Sequence, residues 1–119
     1  MNNTIRISVA AALLAAQSIA FACDYPTRAE IPNGATATKE EMLAGQTAVK
    51  DYMASMETYL ACIEQEEKDT VASMSDITEE EVANRDAALT KKYNAAVQEM
   101  ELLAAQFNEE VRAYKAKSE

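Results

Sequence analysis

The sequence predicts an all-α fold: a long antiparallel two-helix hairpin that follows an extended N-terminal arm. Beyond residue 37 the chain of 119 residues has one glycine and no proline, and it is rich in Ala, Glu, Lys, Gln and Met, which favour helices. Two Thr-x-x-Glu sequences are typical of capping boxes at helix starts. Apolar residues then recur at spacings of three and four, which indicates one buried face on each helix.

Residues 1–22 predict a secretory signal peptide. An apolar run of about 16 residues, interrupted by Gln17, is shorter than the ~20 residues that span a bilayer. It ends in the small residues Ala20 and Ala22, which form an A-x-A cleavage site. We therefore expect export to the periplasm or the medium, cleavage after Ala22, and a mature chain that begins at Cys23 and has no transmembrane segment.

The charge balance disfavours nucleic acid as a partner. The whole chain carries 20 acidic and 11 basic residues, a net charge of −9, and removal of residues 1–22 takes away only Arg6 and leaves −10. Affinity for phosphates requires clustered Lys and Arg. A chain of this size is also expected to form a single domain.

Residues 23–37 predict an extended arm. The segment contains both prolines of the chain, Pro26 and Pro32, and one of its two glycines. Proline fixes its own φ and pushes the preceding residue toward an extended conformation.

The helical hairpin is predicted over residues 38–119. Its first helix begins at the cap Thr38, with Glu41 three residues later, and runs to about Ala72 before a connection over residues 72–76. The apolar stripe of this helix includes Met42, Val49, Met56 and Ile63.

The second helix begins at the cap Thr78, with Glu81 three residues later, and continues almost to the chain end. Two helices of ~52 and ~58 Å that are joined by a short connection fold back on each other. The predicted register pairs Ile63 with Leu89, Met56 with Ala96, Val49 with Leu103 and Met42 with Asn108. Because the apolar stripes are wider than one helix can cover, two copies could also form a four-helix bundle.

The two cysteines, Cys23 and Cys62, predict one disulfide. The 24 helical residues from Thr38 to Cys62 span ~36 Å, and an arm in the polyproline conformation could reach ~46 Å back along the helix. Two lone cysteines in an oxidising compartment most often pair. Two alternatives stay open: a lipid on Cys23, although Ala20 stands where lipoproteins usually have Leu, and a bridge between two chains.

No constellation of residues indicates catalysis, a cofactor or a metal site. The sequence has no His base and no Gly-rich oxyanion turn. The acidic runs at 64–67 and 79–81 lack the pattern of a calcium loop and are more typical of solvated helix faces. The methionines at helical spacing are more typical of a core than of a copper site.

The stretches "CDYPTRAEIPNGATATKEEM", "YLACIEQEE" and "FNEEVRAYKAK" together resemble a group of small secreted proteins of Gram-negative bacteria. The resemblance covers nearly all of the mature chain and both cysteines. It implies export and paired cysteines, and it implies no activity.

These observations predict a non-enzymatic periplasmic or secreted protein that acts through protein–protein interaction. Its partner would be another protein or a second copy of itself. The alternative is a module of the cell envelope that binds a small ligand or a divalent cation, either on the acidic helix faces or between the arm and the hairpin.

Overall fold

The predicted all-α hairpin is confirmed. The structure, a computed structural model, describes residues 23–118. These residues contain two helices and no strand: α1 spans Lys39–Ser73 and α2 spans Glu79–Ser118. The predicted signal peptide lies outside the described residues.

Both predicted capping boxes are present. At the start of α1 the Thr38 N–H donates to Glu41 Oε2 at 2.7 Å, and the Glu41 N–H donates to Thr38 Oγ1 at 3.2 Å. The same reciprocal bonds join Thr78 and Glu81 at 2.8 and 3.2 Å. Each box satisfies two backbone donors that the first helical turn leaves without a partner, so both helices begin where the local sequence specifies.

The connection lies two residues later than predicted. α1 includes Ala72 and Ser73, and the chain leaves the helix at Met74. The Ser73 hydroxyl donates to the Thr70 carbonyl, so this serine is accommodated within the helix instead of ending it. Asp76 then adopts a left-handed conformation with φ of 63°, which aspartate tolerates better than most residues, and the chain reverses direction there.

The antiparallel register is the predicted one. Near the connection, the Arg85 guanidinium forms a two-pronged ion pair with Glu67, with N–O distances of 2.7 and 3.0 Å. Far from the connection, a Cβ placed on Gly45 would lie 3.4 Å from the Phe107 ring. The first contact lies four residues along each helix from the predicted pair Ile63–Leu89, and the second lies four residues from the predicted pair Val49–Leu103. Both contacts therefore have the predicted register.

The core lies along the seam between the helices. Met56 and Leu103 are fully buried. The core cluster comprises Val49, Tyr52, Met56, Leu60, Ile63, Ala96 and Leu103.

The arm runs back along the hairpin, antiparallel to α1, and contacts both helices. Cys23 meets Cys62, and Pro32 lies over Gly45. Nine arm residues at ~3.1 Å each cover ~28 Å, and the 17 helical residues between Cys62 and Gly45 cover ~26 Å. The arm is therefore almost straight, as the sequence predicts.

Contacts with α2 fix the arm from its other side, and these contacts were not predicted. The Gly34 N–H donates to Glu110 Oε2 at 2.6 Å. The Lys117 ammonium donates to the carbonyl of Ala37, and the Arg28 guanidinium lies 3.7 Å from Glu99. The arm is thus a third layer of the fold.

Candidate functional site

The disulfide fixes one end of the arm. The structure joins Cys23 of the arm to Cys62 of α1, the pair that the sequence predicts, with their Cα atoms 5.8 Å apart. Glu66, one turn further along α1, places its Oε2 3.2 Å from the Cys23 sulfur. Since a disulfide sulfur carries no proton, this is a close contact and not a hydrogen bond.

A groove of about 670 Å³ follows the outer edge of α1 beside the arm, and we call it the arm groove. Its arm wall consists of Cys23, Asp24, Pro26, Thr27 and Ala29. Its helix wall consists of Ala48, Asp51, Tyr52, Ser55, Thr58, Tyr59 and Cys62. The helix positions recur at spacings of three and four, so they form one continuous stripe. The disulfide lies at one end of the groove and joins the two walls, because Cys23 belongs to the arm wall and Cys62 to the helix wall.

Two tyrosines of α1, the buried Tyr52 and the half-buried Tyr59, lie at the inner side of the arm groove. Tyr25 of the arm does not line the groove; it packs edge-to-face on Tyr59 with ring centroids 4.9 Å apart, and 52% of Tyr25 remains exposed. Desolvation by this packing raises the pKa of the Tyr25 hydroxyl above its usual value, and the neighbouring Tyr52 and Glu99 raise it further. The Tyr25 hydroxyl is therefore neutral at physiological pH.

The polar groups of the arm groove are acidic or neutral. Asp24 and Asp51 are exposed on opposite walls, and no Lys or Arg is among the lining residues of this groove. The basic residue of the arm, Arg28, is directed away from the groove toward Glu99 and Gln106 of α2. The groove therefore has an unbalanced negative charge at its rim.

The arm backbone is unpaired along the groove. Within residues 23–118, no hydrogen bond is made by the backbone N–H or C=O groups of residues 24–32. The neighbouring stretch 33–37 differs, because there the backbone folds into a turn in which Ala37 N–H donates to the Asn33 carbonyl at 2.8 Å. The straight part of the arm is held by side chains alone.

The other residue sets considered from the sequence form no second site among the residues that the structure describes. Met53, Met56 and Met100 lie in or against the core, whereas Met74 is exposed in the connection. Among the acidic residues, Glu67 pairs with Arg85 and Glu81 caps α2. In the part of the chain that the structure describes, no group of three or more Cys, Asp or Glu side chains is placed to hold a metal ion.

Neither described helix has an apolar stretch long enough to cross a bilayer. No protein-family model, no curated protein and no solved structure matches this sequence significantly. The resemblance to small secreted proteins of Gram-negative bacteria therefore stays a prediction.

Sequence reasoning missed two residues of this site. Asp51 and Ser55 have the spacing of an ordinary solvated helix face. Their shared place in one groove depends on which side of α1 the arm takes. The small and polar character of the stripe through Ala48, Asp51 and Ser55 is the one signal that could have indicated a neighbouring segment of chain.

Proposed function

We propose that this protein is an exported, non-catalytic protein that acts through protein–protein interaction on the surface of its helical hairpin. One observation carries the proposal: the apolar stripe of α2 is only partly covered. Of the 40 residues of α2, the structure buries only Ala96 and Leu103. The residues of this stripe that pack against the core cluster and stay partly exposed include Leu89, Tyr93, Val97, Met100 and Phe107.

A helix side of this kind is typical of an interaction surface. Aromatic residues and Met are enriched where proteins bind one another, and they are found next to charged surroundings that keep the free protein soluble. Two further large apolar side chains, Leu43 and Leu102, are 53% and 49% exposed. An open hollow of about 510 Å³ near the helical connection is lined in part by Val71, Val82 and Leu89.

The absence of catalysis is part of the proposal and rests on composition. The chain has no histidine, so the commonest general base is not available to activate a nucleophile. The polar side chains that form hydrogen bonds or ion pairs stabilise the fold, as in the capping boxes and the Glu67–Arg85 pair.

Export is likewise proposed, with cleavage after Ala22 and a periplasmic or secreted mature chain. The disulfide between Cys23 and Cys62 supports it, because disulfides persist in oxidising compartments and are rare in the cytosol.

The test is photo-crosslinking in the native envelope. A p-benzoylphenylalanine at Leu102 should give discrete crosslinked partners. The charge reversals Glu57→Lys, Glu101→Lys and Lys92→Glu lie at exposed positions, so they should weaken those crosslinks and leave far-UV circular dichroism unchanged.

Two results would contradict the proposal. One is the absence of any crosslinked protein at Leu102 and at Leu43. The other is a hydrolytic, redox or transfer activity that copurifies with the protein and is abolished by a single exposed polar substitution without loss of helicity.

A second candidate function is the binding of a small ligand or a divalent cation. The volume of the arm groove favours it, because small-molecule sites commonly measure ~300–1,000 Å³. The presence of Asp24 and Asp51 adds oxygen ligands of the kind that hard cations prefer. Under this hypothesis millimolar Ca²⁺ or Mg²⁺ raises the melting temperature of the wild type and not of Asp51→Asn.

A further inference from the structure

We propose that the arm groove binds an extended peptide segment of a partner protein that carries lysine or arginine. The segment would lie beside the arm, between the arm and the outer edge of α1. The inference rests on the proposed function, since it presupposes that the protein works by binding other proteins. It adds a second place of binding, beside α1, and the chemistry of the partner that binds there.

The first argument is the shape of the arm groove. Its helix wall extends from Ala48 to Cys62, which is ~21 Å of helix at 1.5 Å per residue. An extended chain covers that length with about six residues. Asp51, Ser55 and Thr58 are exposed along this wall, so the groove is open to solvent over its length. A small molecule would leave much of its surface uncovered there, whereas a peptide gains contact along the whole groove.

The second argument is the unpaired arm backbone. Residues 24–32 are almost straight and make no backbone hydrogen bond within the described part of the chain. A straight segment with free N–H and C=O groups is a template for pairing with another extended chain, in the manner of β-strand addition. Pro26 has no N–H, so pairing would use donors on residues such as Thr27 and Ala29.

The third argument is charge. Asp24 and Asp51 lie on the two walls of the groove, and no basic residue lines it. Opposite charge speeds encounter and selects among partners, while like charge costs free energy. A second copy of this chain without residues 1–22 carries a net charge of −10, so it is disfavoured as the occupant of this acidic groove and would self-associate through the apolar side of α2 instead. The groove therefore favours a basic segment of a different protein.

The fourth argument is the aromatic inner side. The half-buried ring of Tyr59 lies on the helix wall, between Ser55 and Cys62 of the stripe. The methylene stem of Lys or Arg can pack on such a ring while its charged end reaches a carboxylate. Side chains of an extended peptide alternate in direction, so every second residue would face this wall.

The test uses two labelled peptides and the full mature protein. The probe is a fluorescein-labelled octapeptide of alternating Lys and Val, and the control peptide has Glu in place of Lys. Fluorescence anisotropy at low salt should show saturable binding of the Lys peptide only, and added salt should weaken that binding.

Substitutions locate the binding. Asp24→Asn and Asp51→Asn should each weaken binding about two- to fivefold, which is the effect expected of one exposed charge pair. Glu40→Gln removes the same charge from an exposed position outside the groove and should have no such effect.

Two tryptophan substitutions, one inside the groove and one beside it, give the decisive comparison. Ser55→Trp fills the groove and should abolish binding, whereas Ala54→Trp adds the same side chain at an adjacent exposed position that does not line the groove. Circular dichroism checks that both variants keep their helicity.

Several results would overturn the inference. The first is equal binding of the two peptides, and the second is no binding of the Lys peptide at low salt. The third is equal affinity of Ser55→Trp and Ala54→Trp for the Lys peptide. If any of these occurs while crosslinks at Leu102 persist, the peptide site is wrong and the proposed function stands. If the crosslinks at Leu102 and Leu43 are also absent, both fail.

Discussion

Replacement of Gly34 by alanine tests whether the arm is held against α2. A Cβ at this position would lie 1.8 Å from the carbonyl oxygen of Glu110 and 2.9 Å from the backbone nitrogen of Tyr114. Both atoms belong to the helix backbone, so no side-chain rotation can relieve the clash. The φ of Gly34 is not positive, and the requirement for glycine therefore comes from close approach alone.

The arm must move away from α2 in this variant. Overpacking of this kind costs about 1–3 kcal/mol, and loss of the bond from Gly34 N–H to the Glu110 carboxylate costs about 1.5–3 kcal/mol. Alanine also lowers the conformational entropy of the unfolded chain, which stabilises the folded state by about 0.4–1 kcal/mol and offsets part of the loss. We expect a net loss of about 1.5–5.5 kcal/mol, which for a domain of this size lowers the melting temperature by roughly 8–28 °C.

Gly45→Ala is the matched control, measured like Gly34→Ala by thermal unfolding followed with circular dichroism. Its Cβ would meet the Pro32 ring at 2.5 Å, so the arm must shift there too, but helix α1 gains about 1 kcal/mol when alanine replaces glycine. We expect a net loss of about 0–2 kcal/mol, smaller than the loss expected for Gly34→Ala. A Gly34→Ala protein that melts like the wild type would refute the packing of the arm on α2.

Four further outcomes are expected. The double variant Cys23→Ser/Cys62→Ser should lose about 4 kcal/mol of unfolding free energy in urea titrations, because the disulfide closes a loop with a sequence separation of 39. Leu103→Asp, at a fully buried position, should cost at least the ~2–5 kcal/mol of a Leu→Ala change and unfold the hairpin, as circular dichroism would report. The backbone N–H of Thr78, and then its hydroxyl, lower the pKa of Glu81, so the capping box stabilises the fold above the ordinary carboxyl pKa and is lost as pH falls through the lowered value. NMR titration should show a low Glu81 pKa that rises only part of the way to normal in Thr78→Ala, because alanine keeps the backbone N–H and loses only the hydroxyl bond. Light scattering at micromolar concentration should show self-association, and a compact monomer would mean that the arm alone completes the core.

Local signals explain why the helices could be predicted. The two Thr-x-x-Glu sequences act within four residues of each helix start, so neighbours in the sequence are sufficient to specify them. The short connection leaves the helices one way to pack, which sets the register. The reach of the arm depends only on the number of residues between Thr38 and each cysteine, and it shows that Cys23 can reach Cys62. The pairing itself is predicted because two lone cysteines in an oxidising compartment most often pair.

The side of the hairpin that the arm covers could not be predicted in this way. An arm of the same length could lie along either side of α1, and only packing against α2 decides between them. Gly34 and Arg28 make contacts that hold the arm against α2. Their partners, Glu110 and Glu99, are distant in sequence. The arm groove depends on the same choice, which is why Asp51 and Ser55 are typical of a plain solvated face when only periodicity is considered.

The disulfide between Cys23 and Cys62 holds the arm on the hairpin, and we propose that the chain that carries it is exported. Intact-mass analysis and non-reducing peptide mapping of protein isolated from its native compartment test both statements together. We expect a chain that begins at Cys23 without an acyl group and a peptide pair linked through Cys23 and Cys62. A mass increment equal to a diacylglyceryl group, or free thiols on both cysteines, would contradict this expectation.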